Sequence, residues 1–230
     1  MVSVELERAG GALVWRVPRG WWGLSSAAVG GGLVRPCWVL NLGVGDDFTR
    51  TDLDRYASSR ADGLGVSGPG TALLTAADVS QVVATEVDGV RVWATVGVTK
   101  PTWAVPPERA GHDGVSGREG YVPGTINIVV VVTVPLSASA LVQAVGTTTE
   151  AKAQALVEAG VPGTGTASDA VVVLSPEPPG DEGHAEPVVF AGVRSEWGGR
   201  IAVAVHGAVL DGLAAHPWEP DASGGAGVVW

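Results

Sequence analysis

Apolar and polar positions alternate with a period of two, in β-branched company, over Leu13–Val17, Cys37–Val44, Ala72–Ala76, Ser80–Val87, Val90–Val98, Ile126–Val134 and Ala170–Ser175, which predicts seven strands. Val87-Asp88-Gly89-Val90 carries the two-residue turn that joins antiparallel neighbours, so the strands on either side should pair. The run Ile126–Leu136 is nearly all apolar and Val-rich, interrupted by Asn127, Thr133 and Pro135. It is too short to span a bilayer and reads as a strand buried on both faces. Helices are expected at Asp52–Arg60, Ala138–Ala159 and Glu196–Leu213, the second capped by Ser137 and ended by Gly160 and Pro162. Hairpins together with long late helices predict an α+β fold, a single domain of mixed, largely antiparallel sheet packed by two or three helices.

The helix Ala138–Ala159 has an internal conflict. Leu141, Val145, Thr148, Lys152, Ala155 and Ala159 form its apolar stripe, and Lys152 interrupts it. A lysine there must snorkel or pair with an acid, and Asp169, at the end of the following loop, is the partner expected. Glu150 lies about 200° from Lys152 around one continuous helix, on nearly the opposite side. The run Thr147-Thr148-Thr149-Glu150 also spells a capping box, so a helix that restarts at Thr147 would use Glu150 to satisfy a backbone amide.

Size and charge narrow the classes. The chain of 230 residues with 46% hydrophobic content supports one well-buried domain, expected over residues 1–217, with 218–230 a flexible tail. A net charge of -10 without a basic cluster argues against nucleic acid as partner. Acidic Glu5 and Glu7 stand where a secretory leader would be basic, so no leader is read, and no membrane segment is expected. Cys37 is the only cysteine, which excludes an internal disulfide and multi-cysteine zinc and suits a cytoplasmic location. His112, His184, His206 and His216 lack metal-ligand spacing, so no metal is expected. Gly63-Leu64-Gly65-Val66-Ser67-Gly68 matches the dinucleotide fingerprint in letters only, because a polar helix precedes it and a strand follows. Nine Trp against two Phe fit the composition of a GC-rich genome, while Trp21, Trp22, Trp38 or Trp103 could wall a flat ligand. Trp103 is the strongest of these because it lies in a Pro/Gly-rich loop. That loop, Thr99–Gly124, and a second at Ser175–Pro187 are expected to be surface segments, the first a lid.

Several short motifs recur in one order: Gly23-Leu24-Ser25-Ser26 with Gly30-Gly31-Gly32, Thr75-Ala76-Ala77-Asp78-Val79, Ala94-Thr95-Val96-Gly97-Val98, Gly124-Thr125-Ile126-Asn127-Ile128, Thr149-Glu150-Ala151-Lys152, and Thr164-Gly165-Thr166 leading to Asp169-Ala170. With the closing helix from Arg200 to Leu213, this pattern resembles the adenosylcobinamide amidohydrolase family over roughly Leu24 to Leu213. Lys100 stands in place of a polar Asn-Pro turn, and Ser168 replaces a threonine while keeping its hydroxyl. The resemblance implies an amidohydrolase whose substrate is an adenosylated corrinoid, acting in corrinoid salvage; no cofactor is expected. A corrinoid-binding protein without catalysis is the alternative.

Amide hydrolysis needs an activated nucleophile, oxyanion donors and a proton for the leaving amine. Glu150, Lys152, Asp169 and Thr125 are the catalytic candidates; Ser25, Ser26, Asn127, Trp103, Thr164, Thr166 and Ser168 are the substrate-binding ones. The loop Gly163–Ser168 offers amides and hydroxyls for an oxyanion hole, or is a tight turn. Gly124-Thr125 directly precedes a strand, the placement of a nucleophile freed by self-cleavage, though an intact chain with Thr125 capping the loop is the favoured reading. Asn127 faces the same side as Thr125 and can orient a substrate amide or tie strands together.

Overall fold

A computed structural model describes residues 3–45, 47–105, 124–178 and 186–219. Ten strands and three helices follow the order β1 (Glu5–Ala9), β2 (Ala12–Arg16), β3 (Trp21–Ser25), β4 (Gly32–Val34), β5 (Trp38–Gly43), α1 (Leu53–Gly63), β6 (Gly70–Thr75), β7 (Val83–Val87), β8 (Val90–Gly97), β9 (Thr125–Val132), α2 (Ala138–Glu158), β10 (Ala170–Pro176) and α3 (Glu196–Ala215). They form a four-stranded sheet, β1-β2-β5-β6, and a six-stranded sheet, β4-β3-β10-β9-β8-β7. Only β5 with β6 and β9 with β10 run parallel; every other pair is antiparallel. The expected α+β class and mixed sheet are what the chain adopts.

Strand alternation sets the layers. Along β8 and β9, Val90, Val92, Ala94, Ile126, Ile128 and Val130 pack against α2 and α3. The intervening Trp93, Val129 and Val131 meet Leu13, Trp15, Val39 and Leu73 of the smaller sheet. On that sheet's far side Val14, Trp38, Leu40 and Leu42 cover Ala57 and Ala61 of α1. The result is helix, sheet, sheet, helices. The layer between the sheets is apolar at one end, but at the other it holds Ser25, Asn41, Thr71, Thr75, Thr95, Thr125 and Asn127, each at most 5% exposed. Burying these polar groups requires that they satisfy one another, and this end holds several of the candidate site residues.

The Asp-Gly turn forms as expected, with φ of 38° at Asp88 and 85° at Gly89, so β7 and β8 pair directly. Three strands escape the period-two reading. β1 is a polar edge strand, β3 carries Gly23 at its centre, and β4 is three residues long. The expected start of a strand at Ser80 is instead a 3-10 turn over Val79–Gln81, with Asp78 accepting from the Ser80 amide at 2.8 Å. The long-loop expectations at Thr99–Gly124 and Ser175–Pro187 fall mainly outside the described residues, as do His112 and His184. The tail expected at 218–230 is described only to residue 219.

Two helical glycines give opposite predictions. A Cβ on Gly146 of α2 meets nothing within 4 Å, whereas one on Gly212 of α3 falls 2.5 Å from Val96 Cγ2 and 2.7 Å from its Cβ. Helix propensity favours alanine by about 1 kcal/mol at either position. At Gly212 overpacking, typically about 1–3 kcal/mol, outweighs it. Chemical denaturation should therefore show Gly146→Ala stabilised and Gly212→Ala destabilised; equal signs would contradict the packing of α3 on β8.

Candidate active site

The site gathers where β9 and β10 begin. Helix α2 runs unbroken through Thr147, its hydroxyl-bearing turn held by Thr148 and Thr149 donating to the carbonyls of Ala144 and Val145. The restart that would make Glu150 a capping residue does not occur. An uninterrupted helix leaves Glu150 exposed and turns Lys152 inward, so the structure does not bring Glu150 to the cluster. The buried face follows Ala140, Leu141, Ala144, Thr148, Ala151, Lys152 and Ala155. Ala159, expected in the stripe, is exposed.

Lys152 meets the expected partner. Its Nζ donates to Asp169 Oδ2 at 2.5 Å, with the two side chains 8% and 10% exposed. The same carboxylate accepts three further bonds: from the Thr166 amide (3.1 Å) on Oδ2, and from Thr166 Oγ1 (2.6 Å) and the Ile126 amide (2.8 Å) on Oδ1. Four donors on one carboxylate are what a buried charge needs in place of water. Gly165 completes the fit. A Cβ there would overlap Asp169 Oδ2 and lie 2.6 Å from Lys152 Nζ, so any larger residue would have to displace the ion pair for the loop to close over it.

Around this core the other candidates take definite places. Thr125 Oγ1 and Ser168 Oγ are 2.8 Å apart, and Ser168 also donates to the Gly124 carbonyl at 3.3 Å. Thr125 is 3% exposed, whereas Ser168 is open to solvent. Ser26, exposed at the end of β3, accepts from the Val171 amide at 2.9 Å. Ser25 is buried and spends its oxygen on Thr71 Oγ1 and the Ala27 amide, which makes it part of the layer between the sheets. Asn127 is likewise spent. Its Nδ2 donates to Asn41 Oδ1 and to the Leu74 carbonyl, both at 2.9 Å, and its Oδ1 accepts from the Ala170 amide at 3.2 Å. Of the two uses expected for Asn127, the structural tie is the one its bonds fulfil.

The loop after α2 is partly committed too. The Gly163 amide bonds to Val161, the Thr164 amide to Thr102, and the Thr166 amide to Asp169. An oxyanion hole built from successive amides of this loop loses those three donors, and the hydroxyls of Thr164, Thr166 and Ser168 are themselves bonded to the Thr102 carbonyl, Asp169 and the Gly124 carbonyl. Thr102 pairs in return with Gly165, its amide donating to the Gly165 carbonyl at 2.8 Å. This sets the half-buried Trp103 beside the hydroxyl-rich loop. Trp22 and Trp38 are core residues and offer no wall.

Further out, Ser80 donates to Asp78 through both amide and hydroxyl and holds that carboxylate below its ordinary range. Gln154 and His206 do the same for Glu158 on the outer face of α2. Both contributions exist above the ordinary carboxylate pKa and fade as pH falls through the lowered one. Among the described residues no three His, Cys, Asp or Glu side chains converge on a metal-sized point, and no helix is long and apolar enough to cross a membrane. Hollows lie along β1 and β2, the first also lined by Val79 and Ser80.

An amide-cleaving enzyme is the class that comparison assigns to this chain. The family model described as adenosylcobinamide amidohydrolase matches residues 2–220. A protein of Methanosarcina mazei named adenosylcobinamide amidohydrolase is 30% identical over 192 residues, covering 82% of this chain and 88% of its own length. The chain belongs to the adenosylcobinamide amidohydrolase family, and the resemblance carried by its motifs is thereby established.

Asn41 escaped the sequence reading, and Gly165 and Thr95 were read only as members of motifs, not as site residues. Gly165 was signalled only by its place in a hydroxyl-rich loop, and Asn41 by a lone amide within the apolar strand Trp38–Gly43. Removing one partner of the buried pair should be costly. Lys152→Met is expected to lose about 3–5 kcal/mol, because Asp169 keeps a buried charge without its cation. Asp169→Asn in the same chain should recover part of that loss, with a coupling of at least about 1 kcal/mol in a double-mutant cycle. Strict additivity would contradict the pairing.

Proposed function

We propose that this chain hydrolyses the amide linking the corrin ring's side chain to aminopropanol in adenosylcobinamide, releasing adenosylcobyrate and 1-aminopropan-2-ol for corrinoid salvage in the cytoplasm. The observation that carries the proposal is convergence. Segments far apart in sequence, at Ser25–Ser26, Leu74–Ala77, Thr95–Gly97, Gly124–Asn127, Lys152 and Thr164–Ala170, close on one end of the two sheets. Residues 1–217 act as one domain in this reading, with no metal or cofactor.

Asp169, held by four donors, serves to fix Lys152 and Thr166. The Lys152 ammonium lies directly behind Gly165 and places positive charge where the tetrahedral oxygen becomes negative. Ser168 is the reachable hydroxyl of the Thr125–Ser168 pair and meets the scissile amide, with Thr125 orienting it. Thr164, Thr166 and Ser26 receive the polar arms of the corrinoid, and Trp103 offers a flat face. The Gly124–Thr125 peptide bond stays intact.

Incubation of the purified protein with adenosylcobinamide should release 1-aminopropan-2-ol, and a strong chelator should leave the rate unchanged. Ser168→Ala should lower turnover by about 10²-fold or more. Corrinoid binding with no amine released would identify a binding protein instead, and loss of activity restored only by a divalent ion would overturn the metal-free reading.

A further inference from the structure

We infer that Asn41, on the opposite sheet from the candidate site, is a positioning residue that sets the site's geometry through Asn127. The inference rests on the hydrolytic reading above and adds a residue to it.

Two bonds cross the start of the β9–β10 pair in opposite directions. Asp169 of the β10 side accepts from the Ile126 amide at 2.8 Å, and Asn127 of β9 accepts from the Ala170 amide at 3.2 Å. This reciprocal clasp fixes Asp169, and with it Lys152, relative to Thr125. Its Asn127 half works only if the amide oxygen faces Ala170. An amide can rotate by half a turn, and what prevents rotation is where its two N–H groups go. They donate to the Leu74 carbonyl and to Asn41 Oδ1, each at 2.9 Å. Asn41 is held the matching way round: Asn127 Nδ2 can only donate and so takes the oxygen, while Asn41 Nδ2 donates to Thr95 Oγ1 at 3.0 Å.

All three side chains are at most 2% exposed, so no water substitutes for a lost partner. Thr95 is the direct cross-strand partner of Asn127 on β8, whereas Asn41 comes from β5 of the smaller sheet. The orientation of one amide in the site is therefore decided by the packing of the two sheets. A structural bond elsewhere, such as Thr147 Oγ1 donating to the Ala191 carbonyl at 2.8 Å, has no such connection to Asp169.

Asn41→Leu removes the acceptor at similar volume. Asn41→Asp keeps an acceptor for Asn127, while the Thr95 hydroxyl turns to donate. Turnover of adenosylcobinamide and amide hydrogen exchange are read on the full chain, at a temperature where each variant is folded. For Asn41→Leu the expected result is a kcat about 10²-fold lower with KM within about threefold, together with faster exchange at the Ala170 amide relative to Val172. Asn41→Asp should restore most of both, and Thr147→Val should lower Tm while leaving kcat and Ala170 exchange unchanged. A folded Asn41→Leu with kcat within about threefold of the parent, or with Ala170 still protected, overturns the inference. Should Asn41→Leu not fold, Thr95→Val takes its place, with the same direction of both readouts expected and the same results overturning it. If the parent protein releases no amine, the hydrolytic reading fails by itself, and Ala170 exchange alone decides whether Asn41 positions the clasp.

Discussion

The carboxylate of Asp169 is held by four donors drawn from three parts of the chain: Lys152 on α2, Thr166 in the following loop, and the amide that opens β9. A buried charge must find such partners or be expelled, so this requirement fixes how the helix, the loop and the strand meet. It also explains two local features. Lysine sits in an apolar helix stripe because its cation is wanted there, and Gly165 is needed because a side chain would collide with both ions.

The two sheets reinforce the same constraint. Their shared layer is apolar where Trp15, Leu73 and Val131 meet, and polar where Asn41, Thr95 and Asn127 bond across it. The apolar end gives the driving force for packing, while the polar end admits few registers because each donor must match an acceptor. Orientation at the site is thus linked to the interface between the two sheets. The chain belongs to the adenosylcobinamide amidohydrolase family, and in the proposed reading the exposed Ser168, next to Asp169, is where amide cleavage takes place.

Much of this was legible in the residues. Alternating Val, Ile and Leu mark the long strands, Ser137 and Gly160 bound α2, and a lysine in an apolar stripe called for an acid that Asp169 supplies. Short or polar elements were not legible. β1 reads as Glu and Arg on an exposed edge, although Gly10-Gly11 with φ of 55° and 72° is a hairpin turn signal that marks where it must pair. Gly23 hides β3, because a glycine weakens the pattern even though it is required there by the Val173 carbonyl, whose oxygen a Cβ would overlap. Glu150 was attractive for its place in the motif, yet two residues along a helix put it on the wrong side. Asn127 looked available for a ligand because a sequence does not show how many partners a side chain already has.

The most direct measurement is a structure of the protein with adenosylcobinamide bound, under conditions that prevent turnover. The account predicts the aminopropanol amide within about 3–3.5 Å of the Ser168 hydroxyl, the corrinoid's polar arms on Thr164, Thr166 and Ser26, and the Lys152–Asp169 pair unbroken behind Gly165. A corrinoid seated elsewhere, such as along β1 and β2, or a substrate that draws Lys152 away from Asp169, would contradict it.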